Sequence, residues 1–160
     1  MSGSIAISKN LTKAAIYAEL HPQLAAILEG ETDPIACLGN FSAALKEVFG
    51  FLWIGFYLVR GEELVLGPFQ GPVACTRIAR RRGVCGTAWD EARTLVVDDV
   101  DAFPGHIACS SISRSEIVVP LKTIHGQVWG VLDIDSEKLA SFDTVDQTAL
   151  EELIRLLPHI

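Results

Sequence analysis

The centre of the fold is predicted by a run of nine residues without a charged side chain, FLWIGFYLV at positions 51–59. The run has the length of a strand, and because apolar side chains point to both of its faces, we expect a central strand that is buried on both sides. After a turn, residues 63–66 return as its paired strand. Strands at 116–122 and 127–134 form a second hairpin. The sequence therefore predicts an antiparallel sheet built from hairpins.

Helices are predicted before and after these strands. The first covers residues 9–20 and ends at Pro22, which begins a short helical piece that reaches position 28. A second helix follows Asp33, which is a good cap and stands directly before a proline. A C-terminal helix begins after Asp143. Helices at both ends with hairpins between them are typical of an α+β fold, in which helices pack on one face of a central antiparallel sheet and long loops cover the other.

The size and charge of the chain exclude several classes of protein. Its 160 residues are the size of one domain, so we assign residues 1–160 to a single domain. Apolar residues make up 49% and charged residues 21%, which excludes a disordered chain. The net charge of -7 argues against nucleic acid or an anionic membrane as a partner. No stretch has the length of a membrane span, and residues 1–10 lack a signal-peptide pattern, so we expect a cytoplasmic protein.

Three of the four cysteines lie in or beside long predicted loops. Cys75, Cys85 and Cys109 adjoin turn-forming residues, and four arginines stand between the first two. Nearby positive charge lowers the pKa of a thiol, although a run of arginines is also typical of a solvated surface. Three small buried hydrophobes are the alternative. A zinc site that includes His106 is a further alternative, although no Cys-x-x-Cys spacing supports it. Cys37 falls near the apolar face of a helix and is assigned to the core.

Three acidic residues are predicted to meet at one end of the sheet. Asp133 and Asp135 are two positions apart and share a strand face, and the hairpin pairing brings Glu116 close to them. Carboxylates this close repel one another, which raises the pKa of at least one and leaves the ionised ones to bind an ammonium group. Three exposed charges at strand ends are the alternative. Trp53 and Tyr57 share a face of the central strand, as core residues or as a pocket wall.

Five segments of the chain, in order, carry a resemblance to a known family. They are GPFQGPVACTRI, GVCGTAW, FPGHIACSS, SEIVVPL and GVLDIDS, and the likeness extends from about position 11 to about position 157. The chain resembles the free methionine-(R)-sulfoxide reductases, which are GAF-domain enzymes. The resemblance implies a single GAF domain, usually a homodimer, that reduces free L-methionine (R)-sulfoxide. It also implies regeneration by thioredoxin, with no metal or organic cofactor.

The resemblance implies a role for each loop cysteine. Cys109 would be the nucleophile that becomes a sulfenic acid, Cys75 would resolve it as a disulfide, and Cys85 would be a third cysteine that can join the relay. Two loops depart from the family pattern. Residues 79–83 read Ala-Arg-Arg-Arg-Gly where Pro-x-Gly-Lys-Gly is usual, and residues 98–101 read Asp-Asp-Val-Asp where Pro-Asp-Val-His is frequent.

The resemblance also implies a substrate site. The residues that would bind the substrate are Glu116, Asp133, Asp135, Trp53 and Tyr57. The carboxylates would polarise the sulfoxide and hold the ammonium group, and the aromatic rings would enclose the methyl group. The alternative function is a non-catalytic GAF-type sensor of a small ligand or of redox state. A sensor normally carries an output domain, for which a chain of this length leaves no room.

Overall fold

The predicted apolar run becomes the central strand of a six-stranded antiparallel sheet. This computed structural model describes residues 4–158, so residues 1–3 and 159–160 of the predicted domain lie outside it. The strands are β1 (Trp53–Arg60), β2 (Glu63–Gln70), β3 (Arg77–Ala79), β4 (Leu95–Val97), β5 (Ser115–Lys122) and β6 (Val128–Ser136), in the spatial order β3-β2-β1-β6-β5-β4. Neighbours on both sides, β2 and β6, satisfy the backbone of β1.

The helices divide between the two faces of the sheet. They are α1 (Lys13–Leu28), α2 (Pro34–Phe49), α3 (Gly83–Glu91) and α4 (Thr144–Leu153). The first, second and fourth share one hydrophobic core with the sheet, whereas α3 and the long loops cover the opposite face. The predicted α+β fold is therefore confirmed, and α3 adds a helix to the face covered by loops. Within residues 4–158, no helix combines the length and the apolar character that crossing a membrane requires.

Local sequence signals begin and end the helices. The Asp33 side chain accepts hydrogen bonds from the backbone N–H groups at the start of α2, and Gly50 ends that helix with a left-handed φ of 65°. Asp143 and Asp146 form a reciprocal capping box at the start of α4. Asp146 is also buried and accepts a hydrogen bond of 2.7 Å from the Tyr17 hydroxyl of α1. The first and last helices are therefore joined through one cap.

The proline in the first helix does not end it, contrary to the prediction. The α1 helix begins after its N-cap Thr12 and continues through Pro22 to Leu28. A proline inside a helix costs about 3 kcal/mol, because a hydrogen bond is lost and the ring crowds the preceding turn. Leu20 and Leu24, on either side of the proline, are both fully buried in the core. Burying each of them contributes about 1.5–3 kcal/mol, which offsets that cost.

The remaining differences concern the bounds of elements and one strand that was not predicted, β3. Residues 67–70 continue β2 beyond its predicted end at position 66, since Phe69 pairs with Gly55 of β1. The sequence also predicts a short helix at residues 87–92, and in the structure this helix, α3, begins earlier, at Gly83. Pairing with a neighbouring strand supplies backbone hydrogen bonds that the local sequence does not signal, so these boundaries depend on the tertiary fold.

Candidate active site

A small cavity of about 50 Å³ lies on the face of the sheet that the loops cover. All eight predicted site residues take part in it or border it. Those that line it are Trp53 and Tyr57 of β1, Cys85 of α3, Glu116 of β5, Asp133 and Asp135 of β6, and Cys109 of the long loop before β5. Cys75, which follows β2, reaches it through a disulfide bond.

The disulfide joins Cys75 to Cys109, which are 34 residues apart in the chain and 5.3 Å apart between Cα atoms. This is the pairing that the resemblance implied. The Tyr57 hydroxyl donates a hydrogen bond of 2.9 Å to the backbone carbonyl of Cys75, so the wall of the cavity also holds one end of the disulfide. Cys85 and Cys37 are free and buried, and Cys37 lies in the core on the other face of the sheet, as predicted.

Strand register brings the carboxylates together. Glu116 lies opposite Asp135 across β5 and β6, and Asp135 lies opposite Trp53 across β6 and β1. Asp133 occupies the next row on the same face, opposite Gly55. Glu116 and Asp133 are each only 6% exposed, so the alternative of three exposed charges is wrong. Three acidic side chains therefore meet beside the disulfide, where the pattern of the sequence predicted them.

The hydrogen bonds of the cluster are unequal. The Cys85 thiol donates to Glu116 Oε1 at 3.8 Å, and the Ser113 hydroxyl donates to Asp135 Oδ1 at 2.6 Å. Asp133 Oδ1 is buried and has no hydrogen-bond partner among the described residues. A buried acceptor without a partner costs about 1–3 kcal/mol of folding free energy. A cation bound at this oxygen would remove that cost.

Burial raises the pKa values of the whole cluster. It raises the pKa of Asp133 to about 6, and it raises the pKa values of Glu116 and Asp135 well above their usual range, with further increases from the neighbouring carboxylates. Burial also raises the pKa of the Cys85 thiol well above its usual value. The expectation that the arginines activate this thiol is therefore wrong, because desolvation and nearby carboxylates dominate its surroundings.

The aromatic wall is larger than the sequence indicated. Residues four apart on a strand are separated by roughly 13 Å along it, yet the rings of Trp53 and Tyr57 stack with centroids 5.8 Å apart. Phe69 of β2 also stacks with Trp53, with ring centroids 5.2 Å apart. Phe69 was missed, and only its pairing opposite Gly55 across the hairpin could have revealed it.

Comparison with known proteins identifies the family. A family model of the GAF domain matches residues 33–157. GAF domain-containing protein A of Dictyostelium discoideum is 56% identical over 99% of this chain and 100% of its own length. Free methionine-R-sulfoxide reductase of Escherichia coli is 44% identical over 94% of this chain and 91% of its own length. The chain belongs to the free methionine-R-sulfoxide reductase family of GAF-domain proteins. The predicted family and GAF fold are confirmed.

A solved structure of the family agrees in fold. The free methionine-R-sulfoxide reductase of Neisseria meningitidis, solved in complex with its substrate, has a TM-score of 0.91 and 55% identity, and the match covers 96% of this chain and 93% of that one. The two chains therefore share the fold over nearly their whole length.

Two glycines of this family member make room for the aromatic wall. A Cβ atom on Gly55 would stand 2.3 Å from the Cβ of Phe69, a distance that no side chain tolerates. Gly71 has a φ of 142°, and a Cβ there would lie 2.7 Å from the ring of Trp53. Glycine at both positions lets the Trp53 ring lie against the backbone, where its Nε1 donates to the carbonyl of Pro72 at 3.1 Å.

The three arginines of the loop that departs from the family pattern make different contacts. Arg80 and Arg81 both form ion pairs with Asp90, at 2.9 and 2.8 Å, and Arg80 also lies 5.1 Å from the ring of Trp89. Arg82 instead lines the cavity and is the single lysine or arginine to do so among residues 4–158. The solvated-surface interpretation fits the first two arginines, whereas the third is part of the cavity lining.

Proposed function

We propose that this protein reduces free methionine-(R)-sulfoxide to methionine and forms the Cys75–Cys109 disulfide in doing so. The position of that disulfide carries the proposal. It borders a cavity that holds three carboxylates, with the stacked rings of Trp53 and Tyr57 as a wall. The names of the relatives in Escherichia coli and Neisseria meningitidis support the same substrate.

The first step of the proposed reaction transfers the sulfoxide oxygen to the protein. The Cys109 thiolate attacks the sulfoxide sulfur, and the oxygen accepts a proton from a carboxylic acid of the cluster. Methionine leaves as the thioether, and Cys109 retains the oxygen as a sulfenic acid. Glu116 is suited to donate the proton, because burial raises its pKa well above its usual value.

The second step forms the disulfide. The Cys75 thiol attacks the sulfenic sulfur of Cys109, the S–O bond breaks, and the hydroxyl leaves with the thiol proton as water. The disulfide that results borders the cavity that holds the carboxylates.

Recognition of a free amino acid follows from the charges around the cavity. The unpartnered Oδ1 of Asp133 binds the ammonium group, and the rings of Trp53 and Tyr57 enclose the methyl group. Arg82 at the rim, together with backbone N–H groups of residues 110–115, binds the carboxylate. A peptide lacks one or both of these charges, so the protein should reject methionine sulfoxide within a chain.

Regeneration of the thiols needs an external dithiol. Thioredoxin, with a potential of about -270 mV, reduces any disulfide of higher potential by thiol exchange, and we propose it as the reductant. A thiol cycle of this kind requires a reducing compartment, so we propose a cytoplasmic location. We also propose the homodimer that is usual in the family.

The test is a coupled assay that follows NADPH oxidation by thioredoxin reductase and thioredoxin. The wild-type protein should consume free L-methionine (R)-sulfoxide and leave the (S) form and N-acetylated or peptide substrates unchanged. Cys109→Ser should abolish turnover, and Cys75→Ser should form about one methionine per chain and then stall. Cys37→Ser, which alters a thiol on the other face of the sheet, is the matched control and should keep full activity.

Two outcomes would overturn this function. Unchanged steady-state turnover in Cys109→Ser would remove its assigned role. A disulfide that forms with peroxide, in a protein that consumes neither sulfoxide isomer, would instead support the redox sensor.

A further inference from the structure

A buried group of possible metal ligands lies at the base of the cavity. The Cys85 sulfur and one carboxylate oxygen each from Glu116 and Asp133 all lie within 4.8 Å of one another, and all three residues are buried. The Cys85 thiol is free even though Cys75 and Cys109 are joined. Asp133 Oδ1, in a residue only 6% exposed, has no hydrogen-bond partner among the described residues. The group therefore offers three atoms that can bind a metal ion, and one of its oxygens, Asp133 Oδ1, lacks a hydrogen-bond partner among the described residues.

We propose that Cys85, Glu116 and Asp133 bind one thiophilic divalent cation per chain, with zinc as the representative ion. Tetrahedral zinc, with a Zn–S distance of about 2.3 Å and Zn–O distances of about 2.0 Å, separates sulfur from oxygen by about 3.5 Å. The Cys85 sulfur and Glu116 Oε1 are 3.8 Å apart, so an ion fits between them after a shift of a few tenths of an ångström. The cavity of about 50 Å³ leaves room for a water as the fourth ligand.

The sulfur distinguishes this site from the ammonium site of the proposed reaction. A thiol is a weak hydrogen-bond acceptor and adds little to the binding of an ammonium group. A thiolate is a preferred ligand of zinc, and the thiol proton passes to solvent when the metal binds. The metal and the substrate ammonium would share Asp133, so the ion would exclude the amino acid. The inference thus goes beyond the reduction itself and identifies a class of inhibitor, soft divalent cations.

The site differs from the zinc ligand set that the cysteine spacing suggested. Cys75 and Cys109 are bonded to each other and cannot both bind a metal in this form. The oxidised protein is consequently the right material for a test, because its free thiols are Cys85 and Cys37 alone. Cys37 lies in the hydrophobic core on the opposite face of the sheet and serves as the matched control thiol.

The experiment is a titration of the oxidised protein with Co²⁺, followed by displacement with Zn²⁺. Bound Co²⁺ should produce thiolate-to-metal absorption that saturates at one ion per chain and disappears when Zn²⁺ is added. Cys37→Ser should keep this absorption, and Cys85→Ser should lose it. Asp133→Asn should weaken binding by at least about tenfold, in line with the cost of disturbing a metal site. Circular dichroism of each variant confirms that it is folded.

Absence of saturable absorption in the wild-type protein up to millimolar Co²⁺ would overturn the proposal, and so would absorption that persists in Cys85→Ser. The wild-type result decides the question even where a variant does not fold. The titration contains neither sulfoxide nor reductant, so its outcome is separate from that of the reductase assay.

Discussion

Replacing Asp133 by asparagine should stabilise the protein at neutral and alkaline pH while weakening its proposed substrate binding. The residue is buried, one of its oxygens has no partner, and its pKa is raised to about 6. Between its unfolded pKa of 3.8 and about 6, the native state keeps a proton that the unfolded chain has released. Stability therefore falls as the pH rises through this window and stays low above it.

The size of the effect follows from the raised pKa. A change from 3.8 to about 6 lowers the free energy of unfolding by about 3 kcal/mol at high pH, since each pH unit is worth about 1.4 kcal/mol. Roughly half of that loss develops between about pH 5 and about pH 8. The buried asparagine amide costs about 1–2 kcal/mol at every pH. We expect a net gain of about 1–2 kcal/mol for the variant at about pH 8.

The assay is urea unfolding of the oxidised wild-type and variant proteins at about pH 5 and about pH 8, with stability taken from the linear extrapolation. Asp98→Asn removes an exposed aspartate and should behave as the wild type does at both pH values. In the coupled assay Asp133→Asn should also show a raised KM for the free sulfoxide. The reasoning is refuted if Asp133→Asn is destabilised by the same amount at both pH values, because the carboxylate would then carry no cost of buried charge.

Three further predictions concern stability and packing. Ala92 ends α3 with a φ of 51°, a left-handed conformation that is strained for alanine but not for glycine. Ala92→Gly should therefore raise the free energy of unfolding, measured in urea, by about 1 kcal/mol, and a decrease would show that Ala92 is not strained. Gly55→Ala should lower the free energy of unfolding by about 1–3 kcal/mol and raise KM, because the new Cβ would collide with Phe69. An unchanged midpoint of urea unfolding would show that this collision does not occur. Asp143→Ala should lower the thermal midpoint through the loss of about 1 kcal/mol of capping energy, whereas an unchanged midpoint would show that the cap is dispensable.

The parts of the fold that could be predicted from the sequence depend on neighbours in the chain. The apolar run at 51–59 is long enough to indicate a strand buried on both faces, and β1 is such a strand. Asp33 caps α2 because its side chain reaches N–H groups two and three residues on. Asp133 and Asp135 share a face because strands alternate with a period of two. In each case the interaction spans a few residues, so a local pattern is sufficient to predict it.

The tertiary structure alone decided what lies between distant segments. Phe69 joins the aromatic wall through hairpin register, and α1 continues through Pro22 because buried leucines on both sides of it pack in the core. The pKa of Asp133 rises because β1, β5 and α3 exclude water around it, and no spacing of residues encodes that desolvation. The sequence alone determined which residue types meet at this end of the sheet. The packing of distant strands and loops decided how far these residues are shielded from water and which of their atoms lack a hydrogen-bond partner, because burial depends on the whole chain.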